Sequence, residues 1–528
     1  MAAASPPTLQ NTARFLGSQG TGRSMSSDTI VAPPDDSPSS SSSSQRSHNL
    51  IKPPPPAAAS ENIEYASTLL HRKPFLPNTD VLVNVSSTFN NDESSEKPQQ
   101  DPQFETKKRI ILALGRCLLQ YGSPSHRIEE TLKHACKTLS IDATFTIVPD
   151  LILVSLAHPA STSSSSSSTT DTTATQHPPY PETLTIKSVV GFDVGKLVRM
   201  TKTMNALYKG KQNPEQCLMS LQEIIDSPPS CGNWALCFSF SAIGFTATAC
   251  MFDGTWVDAT AATILGLLVA LLFIASIKIP AYGPIYEVSS CIIVGLVARL
   301  LHEYACFITV GLSPILILLP GYGMTMAVME ILAHQVTTGA IRLAYAVIYA
   351  FLLAYGLQIG SSVYMAINPN IPDEGVCGDP VSPWYYLLLF PIMSISIGLA
   401  YGSTRQQWAS QTCCAAIGFC VLFFLGRIVS DPQVLSTIAA FAMGLYANFA
   451  LKITGEPPLA PLCVGITLLV PGSLGVRHAY ALLHNNDVTQ GLYPILMLQV
   501  SLGLAVGLHA AAIIVYPTSK IRSLYISL

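Results

Sequence analysis

Two stretches decide the fold: "LILLPGYGMT" (316–325) and "TLLVPGSLGV" (467–476) each interrupt an apolar run with Pro-Gly. Proline lacks the N–H that an inner helical turn needs, so each run should break or end there. In a bilayer, the freed backbone groups are tolerated only where they are buried in protein or line a watery cavity. Since Pro471 follows Pro320 by 151 positions, the two breaks suggest one feature present twice.

The composition places these runs in a membrane. Of 528 residues, 49% are hydrophobic and only 12% are charged, although the first hundred residues are rich in Ser, Pro and Asn. From Ala235 onward, apolar runs recur near the length of ~20 residues that spans a bilayer. The predicted fold is therefore a polytopic α-helical membrane protein with about ten transmembrane helices, near 235–251, 259–278, 285–302, 304–320, 340–364, 384–401, 410–428, 434–450, 459–471 and 493–516.

The flanks of the two breaks also match each other. "VGLVAR" (294–299) precedes the first break and "MGLYAN" (443–448) precedes the second, while "VTTG" and "VTQG" follow them. These matches predict two membrane repeats, 235–364 and 384–516. Five spans are an odd number, so the halves would enter the membrane in opposite directions, as the inverted repeats of many transporters do. For either motif alone, the alternative that Pro-Gly merely ends a span at the interface stays open.

The region before the first span divides into two parts. Residues 1–104 are a low-complexity Ser/Pro-rich tail that we expect to be disordered. Residues 105–229 should form a small soluble α/β module with a flexible Ser/Thr-rich insertion at 159–181, and 517–528 should be a C-terminal tail. The start "MAAASPPTLQ" shows no signal-peptide pattern, so we expect the first span to act as the internal signal.

Turn and cap residues locate the elements of the module. The helix "KKRIILALGRCLLQYG" should stop at Gly122, and the next should start with Ser123 as N-cap and Pro124 at its first position. "ATFTIVPDLILVSLAH" predicts two strands divided by Pro149-Asp150, and "ETLTIKSV" a strand returning to the same sheet. A helix with a basic face, "DVGKLVRMTKTMNALYKG", follows.

The cations predict the orientation. The positive-inside rule places the module and both termini in the cytosol. The residues that then fall inside are Lys196, Arg199, Lys202, Lys209, Lys211, Lys278, Arg342, Arg405, Lys452, Lys520 and Arg522. Arg299, Arg427 and Arg477 go against this pattern. The acidic loop "NPNIPDEGVCGDP" falls outside, and the 13 scattered cysteines are interpreted as packing residues rather than a disulfide framework or metal ligands.

The segment "LLQYGSPSHRIEETLKHACKTLSIDATFTIVPDLILVS" (118–155) resembles the opening motif of the threonine/serine exporter (ThrE) family. The duplicated Pro-Gly spans resemble that family's two membrane domains, and the Ser/Pro-rich extension is most similar to its fungal branch, the pheromone-regulated membrane proteins. The resemblance covers about 105–516. It implies export of small hydroxylated amino acids driven by an ion gradient, expected to be protons. The implied partners are the amino acid, the coupling ion and the lipid bilayer, with a homo-oligomer left open and neither cofactor nor nucleic acid expected.

Ionisable groups at membrane depth are costly and therefore functional candidates. Glu330 and His334 stand one turn apart and could share a proton, and Arg342 could bind a substrate carboxylate. Arg299, His302 and Glu303 are read as groups that snorkel to the interface. The predicted substrate and ion pathway comprises Glu287, Pro320, Gly321, Glu330, His334, Arg342, Pro471, Gly472, Arg477 and Gln499.

Two further readings concern polar residues. Asn448 and His509, inside predicted spans, are read as packing or interhelical hydrogen-bonding groups. In the module, His126, Glu130 and His134 lie at i, i+4 and i+8, which suits either a metal site or, as favoured here, a solvated polar face.

Two functions from different classes remain. The first is a secondary transporter rather than an enzyme, since no P-loop, nucleophile elbow or HExxH motif is present in the sequence. The second is a non-transporting membrane scaffold or regulatory protein that acts through its cytosolic region.

Overall fold

The computed structural model describes residues 102–157, 182–188, 191–368, 377–429, 431–469, 476, 479–481, 483 and 493–516. The predicted insertion 159–181, the tail 517–528 and all but the end of the tail 1–104 lie outside these residues. The first described helix begins at Pro102.

The module (residues 102–226) is a three-stranded antiparallel sheet covered by four helices. Its elements are α1 (Pro102–Gln120), α2 (Ser125–Leu139), β1 (Ala143–Val148), β2 (Leu151–Leu156), β3 (Glu182–Lys187), α3 (Val194–Tyr208) and α4 (Pro214–Asp226). The strands lie in the order β1-β2-β3, with Val148 opposite Leu151 and Ile152 opposite Ile186. Alternate residues of β2 are buried, as in a sheet with one covered face. The three predicted strands are therefore present in one sheet.

The turn between α1 and α2 follows from Gly122. Its φ of +81° is the left-handed conformation that glycine adopts at no steric cost. The Ser123 N–H donates to the Leu118 carbonyl across this turn, which closes α1 as a helix C-cap. The predicted start of α2 is wrong by one residue: Pro124 is the N-cap and Ser125 the first helical residue. The extended backbone of Pro124 leaves the first N–H groups of α2 pointing out of the module.

The remaining helices form a bundle. They are α5 (Asn233–Met251), α6 (Trp256–Lys278), α7 (Tyr286–Leu300), α8 (Phe307–Leu312), α9 (Gly321–Leu332), α10 (Val336–Ile367), α11 (Tyr386–Ala400), α12 (Arg405–Leu425), α13 (Pro432–Thr454), α14 (Leu459–Leu469) and α15 (Tyr493–Val515). Among the described residues, seven helices are long and apolar enough to cross a membrane, and two apolar stretches, Leu316–Leu332 and Leu459–Leu469, are shorter. The prediction of about ten full spans therefore differs from the described helices, because α7 and these two stretches are short.

Glycines allow the bundle helices to approach closely. A side chain at Gly360 of α10 would clash with the Ile292 carbonyl of α7, and one at Gly507 of α15 would clash with the Thr437 carbonyl of α13. Small residues at such crossings let helix backbones pack without a strong hydrophobic drive, as is common in membranes.

The two ends of the bundle differ in what they contact. At the module end, the Thr338 hydroxyl donates to the Ile147 carbonyl of β1, and the Val194 N–H donates to the Tyr401 carbonyl. At the opposite end, Cys306 and Cys377 form a disulfide, which corrects the interpretation of all cysteines as packing residues. This disulfide end begins just after α10, whose 32 residues extend about 48 Å from the module end.

Candidate functional site

The first Pro-Gly pair divides one crossing of the bundle into two short helices. The broken crossing, as we call residues 307–332, starts beside Cys306 with α8, passes through a 3-10 turn at Leu316–Leu318, and continues as α9. Pro320 is the N-cap of α9, and Pro320 and Gly321 are both buried. The predicted span 304–320 is thus only the first part of this crossing, because α9 continues it to the module end.

Glu330 is the acidic residue of the broken crossing. Its side chain is 0% exposed and lies near the end of α9. Oε1 is 3.1 Å from Arg342 Nη1 and accepts the Ser125 N–H at 2.8 Å. Oε2 is buried with no hydrogen-bond partner among the described residues. A buried carboxylate needs such partners, since an uncompensated charge is expensive in a low-dielectric interior.

The N-terminus of α2 gives Glu330 a partner from the module. Its first N–H groups have no intrahelical acceptor and carry the positive end of the helix dipole. Because Gly122 and Pro124 fix the approach of the chain, the Ser125 N–H points at the carboxylate. A second contact joins Gln335 Nε2, just beyond α9, to Glu129 of α2. The module is therefore docked on the end of the broken crossing through charge and dipole.

The two helices that meet here, α2 and α9, carry further buried polar atoms. The Tyr322 hydroxyl, Thr325 Oγ1, Ser125 Oγ and Arg127 Nη1 are buried without a hydrogen-bond partner among the described residues. Arg127 is 6% exposed, and burial lowers the pKa of its guanidinium to about 10, with Glu130 and Tyr322 close enough to oppose this shift. Unpaired polar atoms in a native interior call for water or a polar ligand.

An aromatic layer connects this cluster with the second half of the bundle. The Phe192 ring of the module lies 5.1 Å from the Tyr322 ring and 5.3 Å from the Tyr401 ring, between centroids. The Tyr401 hydroxyl lies 2.8 Å from Thr467 Oγ1 on α14. The polar cluster, defined as Ser125, Arg127, Tyr322, Thr325, Glu330 and Arg342, thus lies where the module and both halves meet.

The structure brings together only some of the predicted pathway residues. Glu330 and Arg342 are in contact, so the described partner of Arg342 is a protein carboxylate. His334 does not share a helix face with Glu330, because α9 ends at Leu332 and His334 is exposed with a left-handed backbone (φ 67°). Glu287 is half-buried beside Tyr349 of α10, two helical turns beyond Arg342, and is not in contact with Glu330 or Arg342 among the described contacts.

The other predicted pathway residues contribute little to this cluster. Gln499 lies on the exposed face of α15. Pro471, Gly472 and Arg477 lie outside the described residues. His509 bonds the Ala505 carbonyl of its own helix, and Asn448 Nδ2 donates to the Gly444 carbonyl, so both make local contacts.

The polar face predicted on α2 is largely covered. His126 is buried, and the His134 ring packs edge-on against the Tyr208 ring with centroids 4.3 Å apart. Burial lowers the pKa of His134. Among the described residues, no group of three or more His, Cys, Asp or Glu side chains is placed to hold a metal ion.

Sequence reasoning underrated Arg299. It was interpreted as snorkelling, but its side chain is 0% exposed. Its Nε donates to Ser361 Oγ at 2.9 Å, its Nη2 to the Tyr480 hydroxyl at 3.2 Å, and its Cζ lies 4.3 Å from the Phe307 ring centroid. The sequence did offer one signal for this burial, because Arg299 goes against the positive-inside pattern. A cation buried within the bundle does not have to follow that pattern.

These features define a polytopic membrane protein with an interrupted helix and a docked α/β module. Residues 109–364 match the ThrE family model, and residues 386–514 match a second model described as "Threonine/Serine exporter, ThrE". The two matches together cover most of the chain. The protein belongs to the threonine/serine exporter (ThrE) family, in agreement with the resemblance of its soluble motif and of its two Pro-Gly spans.

The similar curated proteins are fungal. An uncharacterized protein of Schizosaccharomyces pombe is 27% identical over 447 residues, which are 79% of this chain and 56% of the relative. Pheromone-regulated membrane protein 10 of Kluyveromyces lactis is 25% identical over 79% of this chain and 44% of its own, and that of Saccharomyces cerevisiae 24% over 78% and 54%. The chain spans about half the length of these relatives. No solved structure matches it.

Proposed function

We propose that the protein is a secondary transporter that exports small polar amino acids such as threonine and serine, coupled to protons. The observation that supports the proposal most directly is the carboxylate of Glu330. It is fully buried on an interrupted helix, and its Oε2 has no hydrogen-bond partner in the part of the chain that the structure describes. Transporters bind substrate and coupling ion at such broken helices, and intramembrane carboxylates serve as their proton carriers. The family assignment supports the same class of function.

We infer that the two halves are inverted repeats of five elements each. In the first half, α7 packs directly on α10, and the broken crossing lies between them in the sequence. In the second half, α13 packs on α15 in the same way, with α14 between them in the sequence. The two pairs run in opposite directions. The helix α10 ends near the disulfide, whereas α15 ends beside Asn448 and Lys452 of α13. There the Tyr516 hydroxyl donates to the Asn448 carbonyl, and Lys452 Nζ donates to the Val515 carbonyl. Lys452 belongs to the module end, since Glu456 nearby lies close to Lys202 of α3.

The orientation we propose places the module and both termini in the cytosol. Two observations support it. Lys278, Arg342, Arg405 and Lys452 are found on helix ends that belong to the module end, as the positive-inside rule requires of a cytosolic face. The disulfide lies at the other end, and disulfides persist in oxidising compartments rather than in the cytosol.

The contacts of Glu330 suggest how a proton would be coupled to movement. When ionised, the carboxylate attracts both Arg342 and the N-terminus of α2, and so holds the module against α9. Protonation removes the charge, and with it most of both attractions. The module end of the broken crossing would then be released. Glu330 in this scheme carries the proton and also controls access from the cytosol.

The test uses membrane vesicles whose cytosolic face points outward. Labelled serine or threonine should accumulate when the pH gradient favours export and stop when it is collapsed. Glu330→Gln should lower this flux about a hundredfold, corresponding to the ~3 kcal/mol lost when a buried ionic contact is broken. Glu303→Gln, at an exposed acid of the disulfide end, is the matched control and should transport normally.

The opposite result would favour the scaffold. That function requires that folded protein moves no amino acid, and that deleting the module removes the phenotype while Glu330→Gln does not. The tight docking of Ser125 and Glu129 on the bundle argues instead that the module acts together with the membrane helices.

A further inference from the structure

We infer that the module forms part of the substrate site, and that Arg127 binds the carboxylate of the transported amino acid. This inference rests on the proposed transport function. It assigns to the soluble module a role in recognition, in addition to any role in gating.

The polar cluster contains one unsatisfied donor that carries a full charge. Arg127 lies in the first turn of α2, two residues after the N–H that binds Glu330, and is 6% exposed. Its Nη1 is buried without a hydrogen-bond partner among the described residues. A guanidinium remains protonated even with the pKa of about 10 that burial gives it. The guanidinium is thus a largely desolvated cation with Glu130 as a nearby charge, and a further anionic group could pair with its Nη1.

The other unpaired atoms complement an α-amino acid. Glu330 Oε2 is an acceptor with negative charge, suited to an ammonium group. The hydroxyls of Tyr322 and Thr325 can both donate and accept, so they can satisfy the hydroxyl of a serine or threonine side chain. Tyr322 is 8% exposed and Thr325 is 0% exposed, so water from bulk solvent does not reach them freely. A zwitterion with a hydroxyl group matches this set of charges and donors.

A small cavity beside Arg127 gives the carboxylate room. It has a volume of about 10 Å³ and is enclosed by α1, α2 and α3, with Ser123, Thr131, Asn205 and Tyr208 among its lining residues. The Tyr208 hydroxyl is another buried atom without a partner among the described residues. The space suits one water-sized group, so it would take an oxygen of the ligand and not a whole amino acid.

The experiment compares L-serine with L-serinamide, which lacks the carboxylate, in proteoliposomes holding the full chain. The wild-type protein should transport serinamide at least about tenfold less efficiently than serine, because a charge-assisted contact is lost. Arg127→Gln should raise the KM for serine about 10- to 100-fold and should abolish the preference for serine over serinamide. Arg109→Gln, at an exposed arginine of the same module that pairs with Glu105, should change neither value.

The outcomes separate this inference from the proposed function. If the wild-type protein transports serine and serinamide equally well, the inference is overturned, and this comparison needs no variant to fold. If Arg127→Gln transports serine with unchanged KM and preference, the inference also falls, while transport itself stands. Equal loss of serine and serinamide in a folded Arg127→Gln protein would show a structural role and would overturn it as well. Absence of all amino-acid transport in the wild-type protein would defeat the proposed function.

Discussion

A buried charged side chain lies at each end of the broken crossing, but the two side chains have different surroundings. At the disulfide end, Arg299 contacts hydroxyls and the Phe307 ring, which begins α8. At the module end, Glu330 contacts Arg342 and the N-terminus of α2. A guanidinium stays charged at any physiological pH, whereas a carboxylate can be protonated. The Arg299 end is thus suited to holding the halves together permanently, and the Glu330 end to switching.

The largest effect on stability is expected from a substitution of Arg299, at the disulfide end. Arg299→Ala would remove the hydrogen bonds that its guanidinium donates to the Ser361 and Tyr480 hydroxyls and would open a hole between the halves. We expect a loss of about 3–5 kcal/mol, typical of breaking a buried ionic or polar contact. Thermal unfolding in detergent would measure it.

The control for this prediction is Arg427→Ala. Arg427 also lies over an aromatic ring, 4.9 Å from the Phe423 centroid, but is exposed. Its loss should cost less than about 1 kcal/mol. Equal melting temperatures for the two variants would mean that burial of Arg299 contributes nothing, and the comparison between the two ends would fail.

The next effect concerns the pair at the switching end. Glu330→Gln and Arg342→Gln should each destabilise the protein, and the double variant should recover part of the loss, with a coupling energy of about 1–3 kcal/mol. The reason is that either single change leaves one charge without its counter-charge, the fully buried Glu330 in one case and the partly exposed Arg342 in the other. A double-mutant cycle by thermal unfolding gives the coupling directly. Strict additivity would show that the 3.1 Å contact has no energetic role.

These same residues show how much of the fold and of the candidate site can be predicted from the sequence. The position of Glu330 after a Pro-Gly break marked it as a candidate, and the apolar periodicity and turn residues located most elements of the module. The pairing of Glu330 with Ser125, however, joins residues 205 positions apart through a backbone N–H, which no side-chain pattern reveals. His334 was misplaced with respect to Glu330 because propensity does not locate the last residue of a helix.

The longer-range contacts were beyond sequence reasoning for similar reasons. Cys306 and Cys377 form no spacing motif, and only the fold brings them together at the end of α10. Arg299 was placed at an interface because its helix ends soon after it, and its burial depends on Ser361 and Tyr480 from elsewhere in the chain. The apolar stretch 304–320 also resembles a full span in composition, although its helix α8 ends at Leu312.

A smaller effect is expected when the hydrogen bond from the N-terminus of α2 to Glu330 is removed and the ion pair with Arg342 is kept. Ser125→Pro removes the N–H that Glu330 accepts, together with the serine hydroxyl. The helix itself should be kept, because proline is well tolerated at the first position of a helix and Pro124 already has the extended backbone that must precede it. The hydrogen bond to a charged group should be worth about 1.5 kcal/mol. Its loss should appear as faster hydrogen exchange in α9 and easier proteolytic release of the module.

Ser125→Ala is the matched control for this change. It keeps the N–H and removes a hydroxyl that has no partner among the described residues, so exchange in α9 should match the wild-type protein. If Ser125→Pro and Ser125→Ala behave alike, the dipole of α2 does not hold the module on Glu330, and docking must depend on Gln335, Thr338 and the aromatic layer.

The smallest effect is expected at Gln499, a polar residue of the last helix that the sequence also marked as a candidate. Its side chain lies on the exposed face of α15, away from the packed contacts with α13. Gln499→Leu should leave serine flux and its pH dependence unchanged and should raise stability slightly, because an amide facing lipid is unfavourable. A large loss of flux would show that this face of α15 meets substrate or a second subunit, and that burial within one chain is not a sufficient guide to the transport pathway.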